Sequence, residues 1–267
     1  MTCGALRGHD QSHVEPVAAS PDSPPDLPPV PAAPSRAAGR LRALVQVLAC
    51  SGIPTQLLLV QVLAAAGIGP FTDGDTLNLT WVFLLSLADT VLLGTLICVL
   101  LVANGESIRG VFLGWRPALP EVPVGLLSVL PVLVIAAAVL LTARAVAPWL
   151  HNVPVNPLGA LMQSPRDIWL FAIVALVAGG IREELQRAFL LTRFEQHLGG
   201  ARVGLLVTSV AFGLGHLIQG FDAALATGTL GLLWGALYLW RRSAVAPIVS
   251  HAGFNSLEIV RFLVMGA

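Results

Sequence analysis

Between Leu41 and Val264 the sequence passes through one apolar run after another, each close to the length that crosses a bilayer. A hydrocarbon core is crossed by roughly twenty helical residues. The runs predict seven spans, over residues 41–68, 81–102, 122–146, 167–198, 203–218, 223–240 and 244–264. The fold class is therefore all-α, a polytopic membrane protein. Only 11% of the 267 residues are charged and 55% are hydrophobic. A soluble domain carries about 25% charged residues. The net charge of zero leaves no nucleic-acid footprint.

Residues 1–38 differ in kind. The segment beginning at Pro21 is Pro-rich and has no periodic apolar face, which predicts a disordered tail. No apolar core follows Arg7, so the start does not read as a signal peptide. His9 and His13 lie in this tail and are not read as ligands. Cys3, Cys50 and Cys98 have no metal-ligand spacing; the last two read as small apolar residues within spans. The organisation expected is a tail over 1–38, N-terminal membrane helices over 39–164 and a functional helical region over 165–267.

The basic residues, all arginine, set the orientation. Arg36, Arg40, Arg42, Arg109, Arg116, Arg193, Arg202, Arg241 and Arg242 fall on one side of a seven-span chain. The positive-inside rule puts that side, and the N-terminus, in the cytosol of a plasma-membrane protein. Gly52 and Pro54 predict a break in the first span. Trp149 and Trp169 suit a membrane interface, and Gly231 with Gly235 predicts a close helix approach.

Three stretches break the apolar pattern. The first, from Gly180 to Phe189, places Arg182, Glu183, Glu184 and Arg187 inside a span, where each charge costs about 2.5–3.5 kcal/mol on insertion scales. On a helix Arg187 shares a face with Glu183 and with Glu184. One carboxylate is then held while the other is free to act as a general base or a metal ligand. The second stretch runs from Phe212 to His216. In the third, His251 and Asn255 share a helix face. A carboxylate, two imidazoles and an amide supply what acyl transfer requires, an activated water and donors for an oxyanion. Glu183, His216 and His251 form the alternative set for Zn²⁺ with a bound water. Structural counterparts are an ion-pair knot for the first stretch, a packing histidine for the second and an interhelical hydrogen-bonded pair for the third.

In this order and spacing the motifs resemble the CPBP family of intramembrane proteases, the CAAX-protease and bacteriocin-processing group related to Rce1-type prenyl-protein endopeptidases. The family pattern is Glu-Glu-x-x-x-Arg, then Phe-x-x-x-His, then His-x-x-x-Asn. Phe212 and His216 match the second element; His251 and Asn255 match the third. The first element departs by one residue. Aligned on Arg187, the two Glu positions fall on Arg182 and Glu183; aligned on Glu183 and Glu184, the arginine comes one residue early. A one-residue bulge near Gly180 reconciles the two alignments.

The resemblance covers about residues 165–260, and the first three spans add only generic membrane character. It implies an intramembrane endopeptidase acting on a membrane-associated or lipidated peptide or protein. Glu183, Glu184, His216, His251 and Asn255 would be catalytic, with Arg187 and Phe212 supporting the site. Whether a metal takes part stays open, and membrane lipid is the other partner. The rival readings are an inactive relative acting as a membrane scaffold, motivated by Arg182, and a small transporter with helices broken at Gly179-Gly180.

Overall fold

The computed structural model describes residues 36–72 and 76–265. Most of the Pro-rich tail, with Cys3, His9 and His13, lies outside the described residues, as do Asp73 and Asp75. Among the described residues the fold is all-helical, apart from an isolated bridge between Phe71 and Leu77. In chain order the α-helices are α1 (Arg36–Ala49), α2 (Ile53–Ala65), α3 (Leu79–Ala103), α4 (Ile108–Phe112), α5 (Glu121–Val146), α6 (Pro165–Val174), α7 (Glu183–His197), α8 (Ala201–Leu214), α9 (Phe221–Arg241) and α10 (Val245–Met265).

Local chemistry explains the joints. Gly52 takes φ 88° between α1 and α2, and Pro54 follows in the first turn of α2, so the predicted break falls where glycine alone is unstrained. Asn78 caps α3 by accepting from the Thr80 and Trp81 amides, and Ser164 caps α6 through the Asp167 amide. Pro131 is accommodated within α5, which continues for 26 residues.

All seven predicted spans are helical, and five of the resulting rods are long and apolar enough to cross a bilayer: Arg36–Ala65, Leu79–Ala103, Glu121–Val146, Phe221–Arg241 and Val245–Met265. The fourth predicted span is a broken rod, α6 followed by a π-helical segment and α7, and it carries the charged cluster. The fifth, α8, has only 14 residues. Large apolar side chains cover the outside of the bundle; Leu126, Leu127, Leu130 and Val134 of α5 are all more than half exposed. Such a surface is lipid-facing, because water would drive a contiguous apolar face into contact with itself.

Helix α9 packs along α8, and α10 packs along α5 and the π segment. Glycines make these approaches close. A Cβ on Gly235 would sit 2.5 Å from Leu205 Cδ1, and one on Gly231 would sit 3.1 Å from the Phe212 ring. At the α5–α10 crossing a Cβ on Gly125 would lie 2.6 Å from both the Ala246 oxygen and Val249 Cβ. Gly125→Ala is therefore expected to destabilise the bundle by about 1–3 kcal/mol, read as a lower melting temperature in detergent. An unchanged melting temperature would mean that this crossing relaxes freely.

Arginine clamps tie one end of the bundle together. Arg193 on α7 donates to Glu106 in the α3–α4 turn, Arg242 donates to Glu195 at 2.5 and 2.7 Å, and Arg241 pairs with Glu121 at 2.7 and 2.8 Å. Burial pushes the Glu106 carboxyl up, but donors from Arg193, Gln196 and Asn104 outweigh it and hold the group below the usual carboxylate range.

Candidate active site

The site is built on a defect in a helix. From Ala175 to Arg182 the chain is π-helical, and the Glu183 amide reaches back to the Ala178 carbonyl. This widened turn ends before Glu183, so Glu183, Glu184 and Arg187 keep ordinary α-helical spacing and the one-residue departure from the family pattern stands. Its glycines let α10 come close. A Cβ on Gly179 would stand 2.7 Å from Asn255 Nδ2, and one on Gly180 would stand 3.0 Å from Ala252 Cβ. Asn255 donates to the Ala175 carbonyl at 3.0 Å, pinning α10 to the head of the segment.

Successive residues after the bulge point apart, since each helical step turns about 100°. Arg182 reaches toward α3, where its Nη1 lies 3.3 Å from Asp89 Oδ2. Glu183 and Glu184 both approach His251 on α10. Glu184 Oε1 accepts from His251 Nδ1 at 2.8 Å and also pairs with Arg187. Glu183 Oε2 is 3.9 Å from His251 Nε2, too far for a direct hydrogen bond. Glu184 is 2% exposed, while the Glu183 side chain is 18% exposed.

Aromatic rings hold the imidazole in place. Trp234 of α9 stacks on His251 with centroids 3.7 Å apart and planes 15° apart, and its Nε1 donates to Ser250 Oγ at 3.1 Å. Phe212 meets His251 edge-on at 6.0 Å and His216 at 4.8 Å. The Arg187 guanidinium lies 4.5 Å over the Phe212 ring. His216 sits just past the end of α8, with Nδ1 2.8 Å from the Phe212 carbonyl. The Phe212 side chain is therefore the link between the second and third motifs.

The structure thus gathers Glu183, Glu184, Arg187, Phe212, His251 and Asn255 around the π segment, with His216 at its edge beside Phe212. The last turns of α7 continue to the level of the α3–α4 turn, where Arg193 and Gln196 donate to Glu106. Among the described residues no group of three or more His, Cys, Asp and Glu is arranged to hold a metal ion. Glu183, His216 and His251 do not form such a group. A cleft of about 320 Å³, bordered by Asn78, Thr80, Arg166 and Asp167, is lined by none of the motif residues.

Two polar clusters join the picture that the motifs did not reveal. Asp89, 1% exposed in α3, accepts from Thr55 Oγ1 at 2.5 Å and Gln56 Nε2 at 3.3 Å. Gln186 accepts from Arg182 Nη1 at 3.2 Å and donates to the Cys50 carbonyl at 2.8 Å, next to the α1–α2 break. The first helices therefore reach the charged cluster directly. The sequence signal was available in Asp89, an acid inside an apolar span. The second cluster is Asp222, which accepts from Arg144 Nε and His151 Nδ1, both at 2.9 Å, and ties the end of α5 and the loop after it to the start of α9.

Comparison with known proteins adds the family. No curated protein and no solved structure gives a significant match to the chain. The apolar helices and the family match together make the chain a multi-pass membrane protein. Residues 165–257, which contain every motif residue named above, match the family model described as type II CAAX prenyl endopeptidase Rce1-like, the family that the ordered motifs resemble.

Proposed function

We propose that the chain is an intramembrane endopeptidase that hydrolyses a peptide bond of a membrane-associated or lipidated protein, with water activated at Glu183. One observation carries this reading: the 3.9 Å gap between Glu183 Oε2 and His251 Nε2, with the imidazole fixed from behind by Glu184. A single water about 2.8 Å from each group fits such a gap. The buried Glu184 carboxylate accepts from Nδ1–H, which leaves the Nε2 lone pair facing Glu183. A water donating to both acceptors turns its own lone pair toward a substrate carbonyl. As its oxygen attacks the carbonyl carbon, Glu183 takes the proton and later returns it to the departing amine. Asn255 uses one N–H on Ala175 and has a second for the oxyanion, and His216 stands beside Phe212.

Arg182, the residue that motivates an inactive-relative reading, lies against Asp89, and two carboxylates remain beside His251. A cytosolic N-terminus follows from the arginine distribution. It is supported by contacts that bring Glu106, Arg193, Glu195 and Arg242 to one end of the bundle. The test is cleavage of a peptide bearing a farnesylated C-terminal Cys-a-a-X sequence, and of a single-span reporter, by purified protein in liposomes. Glu183→Gln is expected to lower turnover by about 10²- to 10⁴-fold with folding retained. No cleavage of either substrate by the wild-type protein, or full activity in the variant, would sink the reading.

A further inference from the structure

Arg182 is a cation between two acids. Its Nη1 lies 3.3 Å from Asp89 Oδ2, and its Nη2 lies 3.8 Å from Glu183 Oε1. It is only 12% exposed, so water offers little competition for its charge. Asp89 wins the guanidinium because it is itself held, by Thr55 and Gln56 of α2, and because Gln186 accepts from the same Nη1. Gly52 leaves room for this arrangement: a Cβ there would meet Gln186 Nε2 at 3.4 Å and Arg182 Nη1 at 3.7 Å. The charged groups facing Arg182 are thus Asp89 from α3 and Glu183 from its own helix.

We propose that Asp89 is a positioning residue for the active site, holding the Arg182 guanidinium 3.8 Å from Glu183, short of a direct hydrogen bond, so that this carboxylate stays free to bind and deprotonate water. The proposal rests on the endopeptidase reading and extends the site to α2 and α3. Removing the Asp89 charge leaves Arg182 with Glu183 as its nearest acid. The guanidinium then turns the short distance to Glu183 and closes on Oε1, withdrawing charge from the carboxylate whose Oε2 faces the water.

The experiment compares wild type, Asp89→Asn, Arg182→Gln with Asp89→Asn, and Thr55→Val, a milder change that loosens Asp89 without removing its charge. Two quantities are read: kcat and KM on the farnesylated peptide, and the labelling of Glu183 by dicyclohexylcarbodiimide, followed by mass spectrometry. In Asp89→Asn, kcat is expected to fall roughly 10- to 100-fold with KM unchanged, and Glu183 labelling to fall with it as the carboxylate becomes ion-paired. The double variant restores both to within about threefold, and Thr55→Val shows an intermediate loss. A purely structural role for Asp89 would not be rescued by removing its cation partner. Unchanged labelling and turnover in Asp89→Asn, or a loss that the double variant does not repair, would overturn the proposal. If wild type cleaves nothing, the endopeptidase reading fails, and the labelling pattern alone still decides whether Asp89 governs the pairing of Glu183.

Discussion

His251→Ala is expected to abolish most hydrolysis, with kcat lower by about 10²- to 10⁴-fold. The imidazole does three things at once in this structure. Its Nε2 faces Glu183 across the gap suited to a water, its Nδ1 ties it to Glu184, and its face covers Trp234. Truncation removes the second acceptor for the water and opens a space beside the indole that no neighbouring group fills. His251→Gln keeps some of the volume but offers no ring nitrogen, so it should restore thermal stability more than turnover. His216→Ala should also lose most activity, at normal expression. Its ring is held by the Phe212 carbonyl rather than by a carboxylate, so its loss disturbs the bundle less. Steady-state turnover with a melting curve on each variant separates the two effects. Retained turnover in His251→Ala would remove the imidazole from the mechanism.

The largest effect on stability is expected at Arg187. Its guanidinium pairs with Glu184, lies over Phe212 and is only 4% exposed. Breaking a buried pair by removing one partner costs about 3–5 kcal/mol, because the other charge is left without compensation. Arg187→Met should therefore unfold far more readily in denaturant. Arg187→Met combined with Glu184→Gln should recover much of the loss, since no unpaired charge remains. The double variant also deprives His251 Nδ1 of its anionic partner, so stability returns while activity does not. A single Arg187→Met variant as stable as wild type would show that water reaches Glu184 and that the pair is not sealed.

The spans were legible because apolar runs of bilayer length admit few alternatives. The three motif stretches were legible because charge and imidazole are expensive within them. A π segment does run from Ala175 to Arg182, but it ends before Glu183, so the one-residue mismatch between the Glu pair and Arg187 stays within ordinary α-helix. Asp89 was not legible as a partner. Its role depends on how α3 packs against α2 and α7, and nothing adjacent to it in sequence marks that packing. Trp234 read as one more apolar residue in a span, yet its ring carries His251. Asp222 finds Arg144 and His151 across 78 and 71 positions, a pairing that only the folded chain creates. Sequence also gave α8 and the charged rod the same standing as the other spans. Composition counts apolar residues, but it does not see where a helix stops.

Helix α8 stops early. Its 14 residues rise roughly 21 Å, against a hydrocarbon thickness of about 30 Å. A bilayer crossed by so short a rod is expected to thin locally to match it. His216 stands at the end of that rod. Such thinning would bring the headgroup layer and its water toward the motif histidine at the edge of the site, making the lipid part of the path by which water reaches the carboxylates.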